Sequence, residues 1–254
     1  MTIEKVIREI AHQVHQAERI LFITGAGMSA DSGLPTYRGI GGLYNSQLTE
    51  DDMPIETALS GEMLATRPEV TWKYIAEIEQ ACRGATFNRG HEVIAQIEQM
   101  KPHTWVLTQN VDGFHAKAGS QQLIEIHGNI LDLYCPECDY EATVDDFSQL
   151  SLPPTCPQCG SLVRPNVVLF GEMLPFVAVE KLYTELEKGF DLVFSIGTTS
   201  IFPYIAHPLL LAHRQQIPTV EINPAQTHLS ELVTYKLPTT AAKSLEILWH
   251  YLVN

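Results

Sequence analysis

The chain has 254 residues, 45% of them hydrophobic, which is enough for one large α/β core and too apolar for wholesale disorder. A formal net charge of −14 repels nucleic-acid phosphates and suits a basic partner such as a lysine-rich peptide. No apolar run reaches the roughly 18–20 residues of a membrane span, so neither nucleic acid nor membrane is an expected partner.

The first segment predicts an amphipathic helix with Ile3, Val6, Ile7, Ile10 and Val14 on one face. Charges interrupt it throughout, which argues against a secretory leader and makes the cytoplasm the expected location. A strand over 20–24 then runs into Gly25-Ala26-Gly27-Met28-Ser29-Ala30, a G-x-G-x-x-A match in the strand-to-helix position of the dinucleotide fingerprint. There, glycine permits a tight turn and close approach of backbone to a pyrophosphate. Gly33 and Pro35 stop the helix almost at once, and no strand ending in a ribose-binding carboxylate follows about twenty residues on. Both features count against a hydride-transfer dehydrogenase. Gly39, Gly41 and Gly42 make a second flexible stretch beside Arg38, suited to folding over a nucleotide.

Residues 45–67 read as polar and irregular, leading into helices over 68–82 and 88–100. Short β-rich runs over 104–112, 123–128, 192–200 and 219–224 each end in a polar, acidic or glycine cluster. Helices are expected over 178–188, around 203–213, and from Ala241 to the C-terminus. This alternation predicts an α/β, Rossmann-like, doubly wound parallel sheet whose ligands bind beyond the carboxyl ends of the strands. A smaller lobe would combine the helical segment 45–87 with residues 135–163. The Rossmann-like core would then comprise about 1–44, 88–134 and 164–254.

Cys135-Pro-Glu-Cys138 and Cys156-Pro-Gln-Cys159 are separated by seventeen residues, the spacing of a four-thiolate zinc ribbon. Four cysteines leave no open coordination position, so the zinc would be structural. The duplication disfavours a thioredoxin-like redox pair. Cys82, alone in a helical pattern, is expected to be a buried small hydrophobe.

The motifs GAGMSADSGLPTYRG (25–39), TQNVDGFH (108–115), IHG (126–128), the two C-x-x-C pairs, RPNVVLFGE (164–172), GTTS (197–200) and EIN (221–223) occur in one order. In that order they resemble the sirtuin (Sir2) family, in its bacterial form, from about residue 20 to the last helix. The resemblance implies a single catalytic domain that removes acetyl and longer uncharged acyl groups from protein lysines. NAD is the co-substrate, and nicotinamide and O-acyl-ADP-ribose are the products. It further implies that Gly25, Ala26, Gly27, Ser29, Ala30, Tyr37 and Arg38 bind the pyrophosphate and the nicotinamide-side ribose. Gln109, Asn110, Val111 and Asp112 would line the ribose and nicotinamide pocket, while Gly197, Thr198, Thr199, Asn223, Pro224 and Ala241 hold the adenosine half. Val168 and Phe170 would form the acyl-lysine tunnel. His127 would be the general base, with Asn110 and Asp112 the other catalytic residues.

Two departures and one discriminating position follow from the resemblance. The family usually has phenylalanine where this chain has Tyr37, so altered nicotinamide inhibition is expected. GTTSIFPY is shorter by a residue than the usual loop. Members that remove succinyl or malonyl groups carry a tyrosine and, three residues on, an arginine over the acyl pocket. Those positions fall here on Ile75 and Ile78, with Tyr74 one residue off the pattern. ADP-ribosyl transfer and a non-catalytic NAD-binding module are the competing readings.

Overall fold

The computed structural model describes residues 2–36 and 48–254. In chain order the elements are α1 (Ile3–Gln16), β1 (Arg19–Thr24), α2 (Ile55–Ala58), α3 (Gly61–Thr66), α4 (Pro68–Cys82), α5 (Arg89–Met100), β2 (His103–Thr108), α6 (Phe114–Lys117) and β3 (Leu123–Glu125). They continue with β4 (Gly128–Tyr134), β5 (Glu141–Thr143), β6 (Arg164–Val167), α7 (Phe176–Glu187), β7 (Leu192–Ile196), α8 (Pro203–Arg214), β8 (Thr219–Ile222), β9 (Tyr235–Leu237) and α9 (Ala241–Val253). Among the described residues no helix is long and apolar enough to cross a membrane.

Six parallel strands form one sheet in the order β3-β2-β1-β7-β8-β9. Its strands are apolar on both faces because helices cover both. Along β1, Ile20 and Phe22 face a core shared with α1, α5 and α9, while Leu21 and Ile23 face a second core shared with α7 and α8. That is the period-two alternation of a strand. Phe22 lies in register with Phe194 of β7 and stacks on it, ring centroids 4.6 Å apart.

The smaller lobe has a separate core. Trp72, Tyr74 and Ile75 of α4 pack with Leu64, Phe147, Leu133, Cys135 and Cys156 in one cluster. The Trp72 indole N–H donates to the Val163 carbonyl at 3.2 Å, tying helix to ribbon. Two features differ from the sequence expectation. Residues 45–67 contain two short helices, α2 and α3, too brief to show a period, and held by burial of Ile55, Ala58 and Leu64. The segment around the cysteines also carries an antiparallel sheet, β5-β4-β6, whose strands become paired only through long-range register.

The sulfurs of Cys135, Cys138, Cys156 and Cys159 lie within 4.8 Å of one another, with Cys135–Cys159 and Cys138–Cys156 at 3.5 Å. These separations suit a tetrahedral ion held by sulfur at about 2.3 Å. Gly160 has φ +77°, the left-handed turn that closes the second pair, and Ser161 draws the Cys159 thiol down to about 6. The four cysteines are therefore a site for a structural metal ion. Cys82 is only half-buried at the end of α4, less enclosed than a core position, although burial still pushes its thiol up to about 11.

Two histidines behind the sheet's carboxyl edge are buried, His91 on α5 and His115 on α6, with ring centroids 4.8 Å apart. Burial holds His91 down at about 4 and His115 well below its ordinary value. As pH falls, the unfolded chain takes up protons first, from about 6.5, while the fold excludes them. Their stabilisation is thus complete above that value and drains between about 6.5 and 4.

Two outcomes are expected. Unfolding free energy falls by about 2 kcal/mol between pH 7 and pH 5 from His91 alone, measured by denaturant titration; a flat profile would show that the pair is solvated. Cys159→Ser loses the bound metal, as read by elemental analysis, and becomes protease-sensitive, because structural zinc contributes folding free energy directly. A metal-free, fully protease-resistant variant would remove the ion from the folding of this lobe.

Candidate active site

In the parallel register Thr24 pairs with both Thr108 and Ile196, Ile196 pairs with Ile222, and Thr108 pairs with Glu125. The strands therefore end level. The loops beginning at Gly25, Gln109, Gly197 and Asn223, and the residues after Glu125, emerge side by side. The sheet order reverses between β1 and β7, the switch point at which such sheets bind ligands.

Hydrogen bonds between side chains and loops fasten this rim. The Asn110 amide donates to the Gly25 carbonyl at 3.1 Å and to Ser29 Oγ at 3.2 Å. Ser29 Oγ donates to Asp112 Oδ2 at 2.6 Å, and Asp112 Oδ1 accepts the Phe114 N–H at 3.0 Å at the start of α6. On the other side of β1, the Gln109 amide donates to Thr198 Oγ1 at 2.8 Å, and the Asn223 amide donates to the Thr198 carbonyl at 3.1 Å. The first set joins the loops after β1 and β2, and the second joins those after β2, β7 and β8. Burial pushes the Asp112 carboxyl above its ordinary value despite the Ser29 hydroxyl, and pushes Glu125 up to about 7 with help from Asp132 and Asp112.

The glycines of the fingerprint are also required by the packing of the neighbouring loop. A Cβ on Gly27 would lie 2.6 Å from the Gly197 Cα, and one on Gly25 would lie 2.8 Å from the Thr198 Cβ. The Gly27 N–H donates to the Gly197 carbonyl at 2.8 Å and the Gly25 N–H to the Ile196 carbonyl at 3.1 Å. These glycines face the neighbouring loop, so it is loop-on-loop packing that demands them. Short 3-10 turns over 26–28 and 30–32 replace the long helix of a dehydrogenase, and Gly33 at φ +83° ends them.

His127 stands beside this rim. Its Nδ1 lies 3.1 Å from the Gln109 carbonyl and its Nε2 lies 2.7 Å from the Tyr204 hydroxyl. A carbonyl can only accept, so Nδ1 carries the proton and Nε2 the lone pair of the neutral ring. Burial pushes the imidazole below its ordinary value, opposed by the carbonyl. Phe202 and Tyr204 stack on one another, and each meets the ring edge-on at 5.9 Å. Neither aromatic has a signal in the sequence, because nothing local places the start of α8 opposite the end of β3.

The His127 carbonyl accepts the Val168 N–H at 3.0 Å, joining the rim to an apolar pocket of about 80 Å³. Every lining residue is apolar, among them Ile75, Ile78, Val111, Ile130, Val168 and Phe170. The Arg164 guanidinium holds the Glu172 carboxylate with both nitrogens, at 2.7 and 2.8 Å, which pins the ends of the segment carrying Val168 and Phe170. Tyr74 does not line the pocket. Its hydroxyl donates to Asp51 Oδ2 at 2.5 Å, beside Lys73. Arg83 is paired with Glu79.

The structure thus brings together Gly25, Ala26, Gly27, Ser29, Ala30, Gln109, Asn110, Asp112, His127, Gly197, Thr198, Thr199, Asn223 and Pro224 along one strand-end rim. Val111 turns its side chain into the apolar pocket. Ala241, at the start of α9, packs into the main core, so its side chain is covered by protein. Tyr37 and Arg38 lie outside the described residues. The shortened loop has Ser200 at φ +54°, an unusual conformation for a residue with a Cβ.

Residues 25–202 match the model of the Sir2 family. The chain is 53% identical over 234 residues to NAD-dependent protein deacylase 2 of Pseudomonas aeruginosa, covering 91% of each chain. It is 34% identical over 233 residues to the NAD-dependent protein deacylase of Aquifex aeolicus, covering 92% of this chain and 95% of that one. A Sir2 homologue solved with NAD superposes with TM-score 0.85 at 31% identity, covering 96% of this chain and 93% of the other. A Sir2 protein solved with a p53 peptide and NAD superposes with TM-score 0.81 at 27% identity, covering 95% and 96%. With a family match over residues 25–202 and 53% identity to a relative across nine-tenths of both chains, this chain belongs to the Sir2 family.

Proposed function

We infer that this chain is an NAD-dependent protein lysine deacylase with His127 as its general base. The observation that carries the reading is the position of that imidazole. It is neutral, with its lone pair on Nε2, between a polar rim suited to a dinucleotide and an apolar pocket suited to an acyl chain. Bound NAD supplies an electrophilic ribose carbon and nicotinamide as the leaving group. Gln109, Asn110, Ser29 and Asp112 are the polar groups for the ribose and nicotinamide end, while Thr198 and Asn223 serve the adenosine half. Val168 and Phe170 would hold the acyl-lysine, and the chain's net charge of −14 favours a lysine-rich peptide.

His127 must be neutral to take a proton. Its depressed pKa keeps it so at neutral pH, and activity should fall as pH drops through that lowered value. Replacing His127 by Ala should cost about 10²–10⁴ in turnover in a variant that still folds. Near wild-type turnover in a folded variant would place the base elsewhere. Mass spectrometry of the products tests the reaction class: O-acyl-ADP-ribose and free lysine are expected, and ADP-ribose on the protein acceptor would replace this reading.

The pocket also sets the acyl class. Ile75 and Ile78 offer no partner to a terminal carboxylate, and Tyr74 and Arg83 are committed to Asp51 and Glu79. Burying an unpaired carboxylate costs several kcal/mol, whereas a methyl or longer alkyl group gains from the apolar wall. On one peptide, kcat/KM for acetyl-lysine should exceed that for succinyl-lysine by about 10² or more. A succinyl preference would show that another cation reaches the pocket.

A further inference from the structure

Tyr204 stands at the second residue of α8, and its hydroxyl lies 2.7 Å from Nε2 of His127. Burial pushes that hydroxyl up from its ordinary value, so it stays protonated at neutral pH. The ring is held in place by stacking on Phe202, centroids 5.5 Å apart and planes 13° from parallel. On the opposite side of the imidazole the Gln109 carbonyl receives Nδ1–H at 3.1 Å. Both nitrogens of a largely buried ring thus have partners supplied by the protein.

The two partners differ in kind. A carbonyl accepts only. A phenolic hydroxyl both donates and accepts by turning about its C–O bond. Resting on the reading of His127 as the general base, we propose that Tyr204 is a positioning residue for that base. Its hydroxyl donates to Nε2 of the neutral ring and accepts from Nε2 of the protonated ring. A ribose hydroxyl that gives its proton to Nε2 replaces the tyrosine as donor. Once the ribose oxygen has used its freed electron pair to attack the acyl-derived carbon, the new Nε2–H needs an acceptor, and Tyr204 Oη is the group at hand. The same contact then serves the ring in both protonation states.

A hydrogen bond from an imidazolium is roughly twice as strong as one to a neutral ring, so Tyr204 supports the charged form more than the neutral one. It works against the burial that disfavours that charge. Other ionisable groups on the surrounding elements are Asp112, after β2, and Glu125, on β3. Among the described residues the His127 shift comes from burial and the Gln109 carbonyl, with no charged side chain contributing.

The test is Tyr204→Phe, which keeps the stacked ring and removes only the hydroxyl. His127 is followed by NMR titration of its ring carbon, assigned with His127→Gln, and the pH profile of kcat/KM is measured for both proteins. The expected result is that the His127 pKa and the acid limb of kcat/KM both move down by roughly half to one unit. At neutral pH, kcat should fall about three- to tenfold. A purely structural role for the ring would leave the titration where it is. An unchanged or raised His127 pKa in folded Tyr204→Phe overturns the proposal. The titration needs no turnover. If it moves down while neither protein releases nicotinamide, the hydroxyl's support of the protonated ring stands and the deacylase reading is what fails.

Discussion

The cleft depends on the backbone of Gly27 lying directly against the backbone of Gly197. A Cβ on Gly197 would fall 2.4 Å from the carbonyl carbon of Gly27, and one on Gly27 would fall 2.6 Å from the Gly197 Cα, so neither position tolerates a side chain. This contact closes the gap between the loops after β1 and β7, where the sheet changes direction. With that seam shut by backbone, Gln109 and Asn223 each come within hydrogen-bonding distance of Thr198, linking three loops. A larger residue at the seam would part the loops and leave these polar groups without partners, which is costly wherever water is excluded.

The rim and the pocket place opposite demands on one small region, and the fold meets them with different layers. The parallel sheet, covered on both faces, supplies a rigid edge on which polar groups are held by one another rather than by solvent. The smaller lobe supplies the apolar wall through α4, packed around Trp72 and tied to the cysteine ribbon. A metal ion there is remote from any reaction step in its coordination chemistry, yet it matters to the site, because the ribbon buttresses the helix that carries Ile75 and Ile78. The Arg164–Glu172 pair acts between the two layers, holding the segment that contributes Val168 to the pocket and one hydrogen bond to His127.

Much of this was legible in the residues themselves. The elements of the parallel sheet and its helices follow from period and punctuation: α4 spans 68–82 as its pattern requires, and α5 begins where Asn88 caps it. The cysteine cluster follows from spacing, since two C-x-x-C turns bring four thiolates to one point wherever the chain between them folds back. The loops that end β1, β2, β7 and β8 are each marked by glycine, serine, threonine or asparagine, so their gathering at one edge follows once the sheet is parallel.

What only the tertiary structure decided concerns contacts between segments far apart in sequence. That Gly25 and Gly27 serve the packing of one loop on another, and not simply the approach of a phosphate, depends on where Gly197 lies. Strand β9 and the β5-β4-β6 sheet are too short or irregular to announce themselves, and they exist because partners are present to pair with. The protonated nitrogen of His127 is set by a carbonyl 18 residues away in the chain and a tyrosine 77 away. Local propensity encodes helices, turns and metal-binding spacings because those interactions span a few residues; the state of a buried imidazole is set by whatever the fold happens to bring to its two nitrogens.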